Sequence, residues 1–413
     1  MKIKKMLIVL AGIVLIAFLW IYLRFLGSHK IEKEKEMEAE AISVMAPYEV
    51  KQYQTVLKER GEAYSQKRGN KKIEFEFIPE ENIKKELLLR NLNKKNEVDM
   101  VICANTLMPE LIRMGFFQEL SVDQNTHQRV RQQTLWNSVK ENGKIYGIPF
   151  TCDPYVLFYR KDRMEEKNLK CPETWDEFEK CGKSMQKLGI KSIGIPGRRE
   201  DDFSCIFRIM LYSSGGNFLS MDQEAGIQTF ERIQRMVRQN LIDREMINYT
   251  PKDLAVEFAE GKINMMINQM SMSALLRESD AASEIGVSRL PDDVAGSIFL
   301  YGENVGIMQD ADSQTKEFLE FLIRKENAEK IVNEMGILSP FINVAYAKTG
   351  EVYLEDGEEL FKDAKTMETY ATWTRMSEDI AQGMYEIIEE YRADPKETAR
   401  GVHDKVRISI MEG

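Results

Sequence analysis

The sequence predicts an α/β protein of two lobes, and three observations carry that expectation. The chain has 413 residues, more than one ordinary domain needs, so lobes of roughly 150 to 200 residues each are expected. Between residues 41 and 115, short apolar runs of strand character alternate with helical patterns, the order that builds a parallel sheet with helices on both faces. Residues 142–162, NGKIYGIPFTCDPYVLFYRKD, hold two apolar runs joined by a polar, kinked connection at 151–154. Tyr146, Ile148 and Phe150 alternate with polar or small residues, whereas Val156, Leu157, Phe158 and Tyr159 run on without a break, as in a fully buried strand. One central strand does not pass through Asp153-Pro154, because proline has no amide for the ladder and restricts the residue before it. The chain is therefore expected to cross between lobes here.

Taken in order, residues 1–5 carry three lysines, and 6–23 form an 18-residue apolar run without a charge, followed by Arg24. That length reaches the lower end of a bilayer-spanning helix, with its positive end inside. No clean A-x-A cleavage site follows the apolar run. Residues 1–28 are thus expected to be an uncleaved membrane anchor, with secretion after signal cleavage as the alternative. Residues 29–41 alternate in charge, have no apolar face, and read as a solvated spacer. A strand is expected over 41–46 and a helix over 51–67 with Tyr53, Val56, Leu57 and Tyr64 on one side. A second strand covers 73–77, stopped by Pro79, then a helix 83–92, a strand 99–103 and a helix 107–114 ended by Gly115. Ligands sit beyond the carboxyl ends of strands in open parallel sheets, which makes Tyr48, Glu49, Asn105 and Thr106 candidate site residues. After the crossover, Thr174-Trp175-Asp176-Glu177 reads as a capping box, with Trp175 anchoring the core. A strand over 190–195 and helices over 202–212 and 223–239 follow. Residues 285–290 are the second expected crossover, and helices are expected over 314–324, 326–335, 370–391 and 395–411.

Composition excludes several functions. With 57 basic and 67 acidic residues the net charge is -10, which argues against a nucleic-acid surface. The three histidines lie far apart, with no HExxH-type spacing, so no histidine-based metal or catalytic site is expected. Five cysteines without a CxxC pair are an odd number and suggest buried thiols, not a disulfide framework. Gly182-Lys183-Ser184 is no phosphate loop, since Glu177 holds the place of the first glycine.

GKIYGIPF at 143–150, LFYRKD at 157–162 and CPETWDEF at 171–178 resemble the lobe crossover of the family 1 extracellular solute-binding proteins, the receptors of sugar-type ABC importers. Arg160 stands where that family usually has asparagine. DMVICANTLMPELIRMGFFQEL at 99–120, FAEGKINMMIN at 258–268, YGENVGI at 301–307 and the Gly336 to Pro340 element resemble further family stretches, with Asn264 in place of a common alanine. The resemblance to maltodextrin-type receptors runs over about residues 42–410. It implies a two-lobed periplasmic-binding-protein-like fold of type II with hinge crossovers and a central cleft. The implied division is 42–152 and 287–325 in one lobe, 153–286 and 326–413 in the other. It further implies an extracytoplasmic, monomeric receptor without cofactor or catalysis, which captures a carbohydrate by hinge closure and hands it to the transmembrane subunits of an ABC permease.

Laid on this sequence, the family pattern makes Asp153 an acidic cleft residue, Asn105 and Thr106 polar contacts, and Trp373 an aromatic that stacks on a sugar ring. Tyr48, Glu49, Tyr155, Asn268, Met270 and Glu303 complete the expected ligand-binding set. Competing readings are Trp373 as core and Asp153 as a cap for the turn before Pro154. Gln269-Met270-Ser271-Met272 stands where sugar receptors often place a tryptophan, and Cys205 falls near the place of a common cleft aromatic; methionine adapts to varied ligands. A sensing ectodomain partnered with a membrane signalling protein, and a glycan-active enzyme using Glu49 and Asp153, are the rival functions. The absence of a catalytic motif speaks against the enzyme.

Overall fold

The computed structural model describes residues 41–67, 71–93, 97–294, 299–348, 350–364, 368–389 and 393–413. The expected anchor at 1–28 and the spacer at 29–40 lie outside them. In chain order the strands are β1 (Ile42–Ala46), β2 (Ile73–Phe77), β3 (Met100–Ala104), β4 (Lys140–Glu141), β5 (Lys144–Ile145), β6 (Gly147–Pro149), β7 (Tyr155–Arg160), β8 (Lys191–Gly194), β9 (Ile263–Gln269), β10 (Ile285–Ser288) and β11 (Glu303–Ile307). The helices that position the site are α1 (Lys51–Lys67), α2 (Trp175–Gln186), α3 (Glu200–Ser213), α4 (Pro251–Ala259), α5 (Lys325–Met335), α6 (Trp373–Glu389) and α7 (Pro395–Glu412).

Two sheets form the lobe cores. The first has the order β2-β1-β3-β11-β6, the second β10-β7-β9-β8, and β4 and β5 make a small hairpin. β1 pairs in parallel with β2 and β3, Val44 lying opposite Phe75 and Met100. β11 runs antiparallel to β3 and β6, with Val305 opposite Ile102 and Ile148. The first sheet is thus mixed and not all-parallel as the alternation suggested. The reason is the route of the chain: β3 runs toward the junction of the lobes, whereas β11 enters from that junction and must run away from it. β7 likewise runs away from the junction and pairs antiparallel with β9 and β10.

Burial explains the elements. The inward stripe of α1 is Tyr53, Val56, Leu57, Gly61 and Tyr64, the helical spacing of one apolar face. β3 and β7 are buried over most of their length. Trp175 is 1% exposed, and its indole N–H donates to Ser213 Oγ of α3. The box before it is half formed: Thr174 Oγ1 accepts from Glu177 N, but the Glu177 carboxylate accepts from Glu173 N. α6 packs between α3 and α7 to close the second lobe.

α5 packs on α1 in the first lobe, burying Ala328, Ile331, Val332 and Met335, so the lobe boundary expected at 326 does not hold. The following segment also stays there, with Ile342 N donating to Arg129 O at 2.8 Å and Gln132 Nε2 to Phe361 O at 2.6 Å. The chain returns to the second lobe just before α6.

The connections meet at a tight junction. Cys152 and Leu338 exchange backbone bonds of 2.9 and 3.0 Å, Asp153 N donates to Tyr301 O at 2.7 Å, and Asn105 N to Gly302 O at 2.8 Å. Gly302 has φ +147°, and a Cβ there would stand 2.3 Å from Thr151 O. Only glycine tolerates both that dihedral and that approach.

Candidate functional site

The carboxyl ends of β1 and β3, the start of β11 and the loops of the second lobe frame a cleft between the lobes. It holds two cavities that share Glu80 and Arg199. The outer one, about 740 Å³ of free space, is lined by Lys84, Thr106 and Leu107 from the first lobe and by Asp201, Asp202 and Trp373 from the second. The inner one, about 570 Å³, lies among Tyr48, Tyr53, Asp153, Glu303 and, from the second lobe, Ser271 and Met272.

The lobes are closed on each other by polar contacts. Thr106 Oγ1 donates to Asp201 Oδ2 at 3.3 Å, and Tyr53 Oη donates to the Ser271 carbonyl. Arg199, immediately before α3, pairs with Glu49 and places Nε 3.2 Å from Glu81 Oε2. Thr374 at the start of α6 donates to Glu110 of the first lobe.

Trp373 lies at the first residue of α6, is 3% exposed, and its indole N–H donates to Asp201. Phe218 packs on it at a centroid distance of 5.9 Å, and the buried Arg208 guanidinium stands 5.5 Å from its ring centroid. It is therefore both part of the second-lobe core and part of the cavity wall. Asp153 accepts from Ser271 N at 2.8 Å, and Glu303 accepts from the Thr151 hydroxyl.

Tyr48, Glu49, Thr106, Asp153, Glu303 and Trp373 line the cavities. The four other expected contacts do not line these cavities. Asn105 Nδ2 donates to Leu300 O at 3.0 Å, Tyr155 Oη to Asp202 Oδ1 at 2.7 Å, and Asn268 Nδ2 to Pro251 O at 2.8 Å. Met270 is fully buried. Their polar groups are used within the protein, which is how buried polar atoms avoid a desolvation cost.

Electrostatically the cleft is acidic. Burial pushes Asp153 up to about 7, Asp202 adds to this, and the Ser271 donors pull the other way. Burial also raises Glu80 to about 8, reinforced by Asp201 and Asp202 and opposed by Arg199. Asp201 rises to about 6, mainly through burial and despite its bond from Trp373. Glu303 is raised well above the usual carboxylate range by burial, then by Asp153 and Glu80. Carboxyls taken out of water without a paired cation favour their protonated form.

Glu80, Arg199, Asp201 and Asp202 were not among the expected residues. Their only sequence signal is charge, Pro79-Glu80-Glu81 and Arg198-Arg199-Glu200-Asp201-Asp202 each opening a helical segment. Acids at a helix N-terminus have an ordinary explanation in the helix dipole. Nothing local shows that residues 80 and 199 meet.

Among the described residues, no group of three His, Cys, Asp or Glu side chains could hold a metal ion, and no helix is long and apolar enough to cross a membrane. The family pattern of bacterial extracellular solute-binding proteins matches residues 59–369. A binding protein of Brucella abortus is 22% identical over 334 residues, covering 76% of this chain and 80% of that protein. The multiple sugar-binding protein of Streptococcus mutans is 22% identical over 291 residues, covering 62% and 69%. Maltose-bound MalE3 of T. maritima superposes with a TM-score of 0.78 at 20% identity, over 89% of this chain and 99% of that one. The two-lobed periplasmic-binding-protein-like fold expected from the sequence is therefore the fold of this chain.

Proposed function

We propose, for a chain that belongs to the bacterial extracellular solute-binding proteins, that it is the capture subunit of an ABC importer: it closes two lobes on a small carbohydrate-like solute and delivers it to a membrane permease. One observation carries the reading. The outer cavity sets an aromatic wall, Trp373, beside Asp201 and Thr106, groups supplied from both lobes. A sugar ring needs that combination, an apolar face to lie on and acceptors for its hydroxyls, and a solute touching both lobes favours the closed state.

The family's extracellular character puts the folded part outside the cytoplasm. We further infer that residues 1–28 tether it to the membrane, because the apolar run at 6–23 is not followed by a lipid-accepting cysteine; Cys103 is the first in the chain. Alkaline carbonate extraction checks this. Recovery of the full-length protein in the soluble fraction, or a mature N-terminus beyond Ser28, would remove the anchor.

The receptor reading is tested by a thermal-shift screen of neutral, amino and acidic oligosaccharides, followed by calorimetry. A ligand at 100 times its Kd stabilises the folded state by about 2.7 kcal/mol. Solution scattering with that ligand is expected to show a smaller radius of gyration than a ligand-free open form. A ligand that is chemically altered on incubation would instead identify an enzyme.

A further inference from the structure

We propose that the inner cavity receives an ammonium group, so that the solute this receptor takes carries a primary amine. The inference deepens the receptor reading and rests on it. Glu80, Asp153 and Glu303 line one cavity. Asp153 and Glu303 are held by neutral donors, the Ser271 amide and the Thr151 hydroxyl, and neither has an ion-pair partner among the described residues. Arg199 pairs with Glu49 and Glu81 and also faces Asp202 and Glu80, which leaves Asp153 and Glu303 as the acids without a cation partner among the described residues.

One buried polar atom of the inner cavity also lacks a well-formed partner. The Tyr48 hydroxyl lies against the Glu303 carboxyl without a hydrogen bond of ordinary geometry. Tyr48 is only 6% exposed, so leaving its hydroxyl poorly matched is costly unless a ligand completes it.

The kind of cation follows from the geometry. The acids do not converge closely enough for a metal ion. An ammonium group instead offers three donors to separate acceptors, and it is attracted to aromatic faces. Tyr48 and Tyr53 supply those at the same cavity, edge to face at 5.8 Å. The raised carboxyls fit this assignment, because an arriving cation favours their ionised form and expels a proton. Asp153 is faced by Tyr48, Tyr53, Asp202 and Glu303; Glu303 is faced by Tyr48, Glu80, Asp153 and the buried thiols of Cys103 and Cys152; two cations, Arg199 and Lys252, also line the cavity, and Arg199 acts on Glu80.

The amine has two possible sources, an amino sugar within an oligosaccharide or a free polyamine. Calorimetry with four probes separates them: a glucosamine trimer, its N-acetylated counterpart, maltotriose and spermidine. We expect at least one amine probe to bind about tenfold or more tighter than both neutral sugars, with proton release seen as a heat that depends on the buffer. Spermidine, whose alkyl amines stay charged, should bind tighter at pH 8 than at pH 5, whereas the amino sugar, whose amine loses its proton at about pH 7 to 8, should bind best between those values. Glucosamine trimer alone would name an amino sugar, and spermidine alone a polyamine. Asp153→Asn and Glu303→Gln should each weaken the amine probe in the folded fraction by about tenfold, while the wild-type pH profile gives the same information without any variant. Neutral sugars binding as tightly as the amines overturn the proposal but leave the receptor reading standing. If no probe binds, the ammonium assignment falls; if scattering also shows no closure with any solute of the wider screen, the receptor reading falls with it.

Discussion

Gly302 shows how one residue holds the junction. At φ +147°, with a Cβ position 2.3 Å from the Thr151 carbonyl, any side chain must displace backbone on the neighbouring crossing segment. We expect Gly302→Ala to lower stability by at least about 1–3 kcal/mol, seen as a lower urea midpoint; an unchanged midpoint would mean that the segments are not packed this closely. Trp373 has two roles that substitution can separate. Trp373→Ala should cost about 3–5 kcal/mol of stability, as for a truncated core aromatic. Trp373→Phe keeps a ring but removes the indole donor to Asp201, a loss of about 1–3 kcal/mol, or about 5- to 150-fold in affinity. If Trp373→Phe binds ligand normally, the indole serves the core alone.

Helix starts matter next. Thr174 caps α2 through its bond from Glu177 N, and Thr174→Ala should cost about 1 kcal/mol with no change in the slope of denaturant unfolding. At the start of α3, Arg199 reaches across the cleft to Glu49 and Glu81, so this element end acts as a latch. Both partners are partly exposed, with Glu49 at 38% and Glu81 at 48%, and each pair should contribute only about 0–1 kcal/mol. That is enough to bias a balanced opening. Arg199→Met is therefore expected to enlarge the ligand-free radius of gyration, and to lower the melting temperature most near pH 8, because in the variant no guanidinium opposes the charges of Glu80 and Asp202. A radius identical to wild type would show that the closed arrangement does not depend on the latch.

For the molecule as a whole, the buried Asp153 and the half-buried Glu80 carboxyls make stability depend on pH. Asp153 and Glu80 stand at about 7 and about 8 in the folded protein, against roughly 4 in an unfolded chain. The folded state thus holds protons that the unfolded state has released. Their contribution is fully present below about pH 4 and is lost as pH rises through 7 to 8. Without ligand, melting temperature is expected to fall from pH 5 to pH 8, and the lobes to separate as the acids ionise. Asp153→Asn should flatten the dependence. A melting temperature that does not fall across that range would mean that these carboxyls are not buried together.

Helices and strands were legible because their signals are local. The spacing of Tyr53, Val56, Leu57 and Tyr64 defines the inner face of α1, and the kink at Asp153-Pro154 marks a crossing. The family stretches around 143–178 likewise carried the two-lobed fold. The direction of β11 and the lobe that receives α5 were not legible, because a strand or helix of given amphipathicity can serve either lobe until its partner is known. The cleft residues show the limit most clearly. Thr106 and Asp201 are 95 positions apart, and Arg199 and Glu49 are 150. Glu49 and Thr106 are expected at the cleft from their place after β1 and β3, but alone Asp201 and Arg199 each read as an ordinary residue at a helix start. Only the closure of one lobe on the other removes them from water together, and that shared desolvation, which no spacing in the sequence encodes, makes them a site.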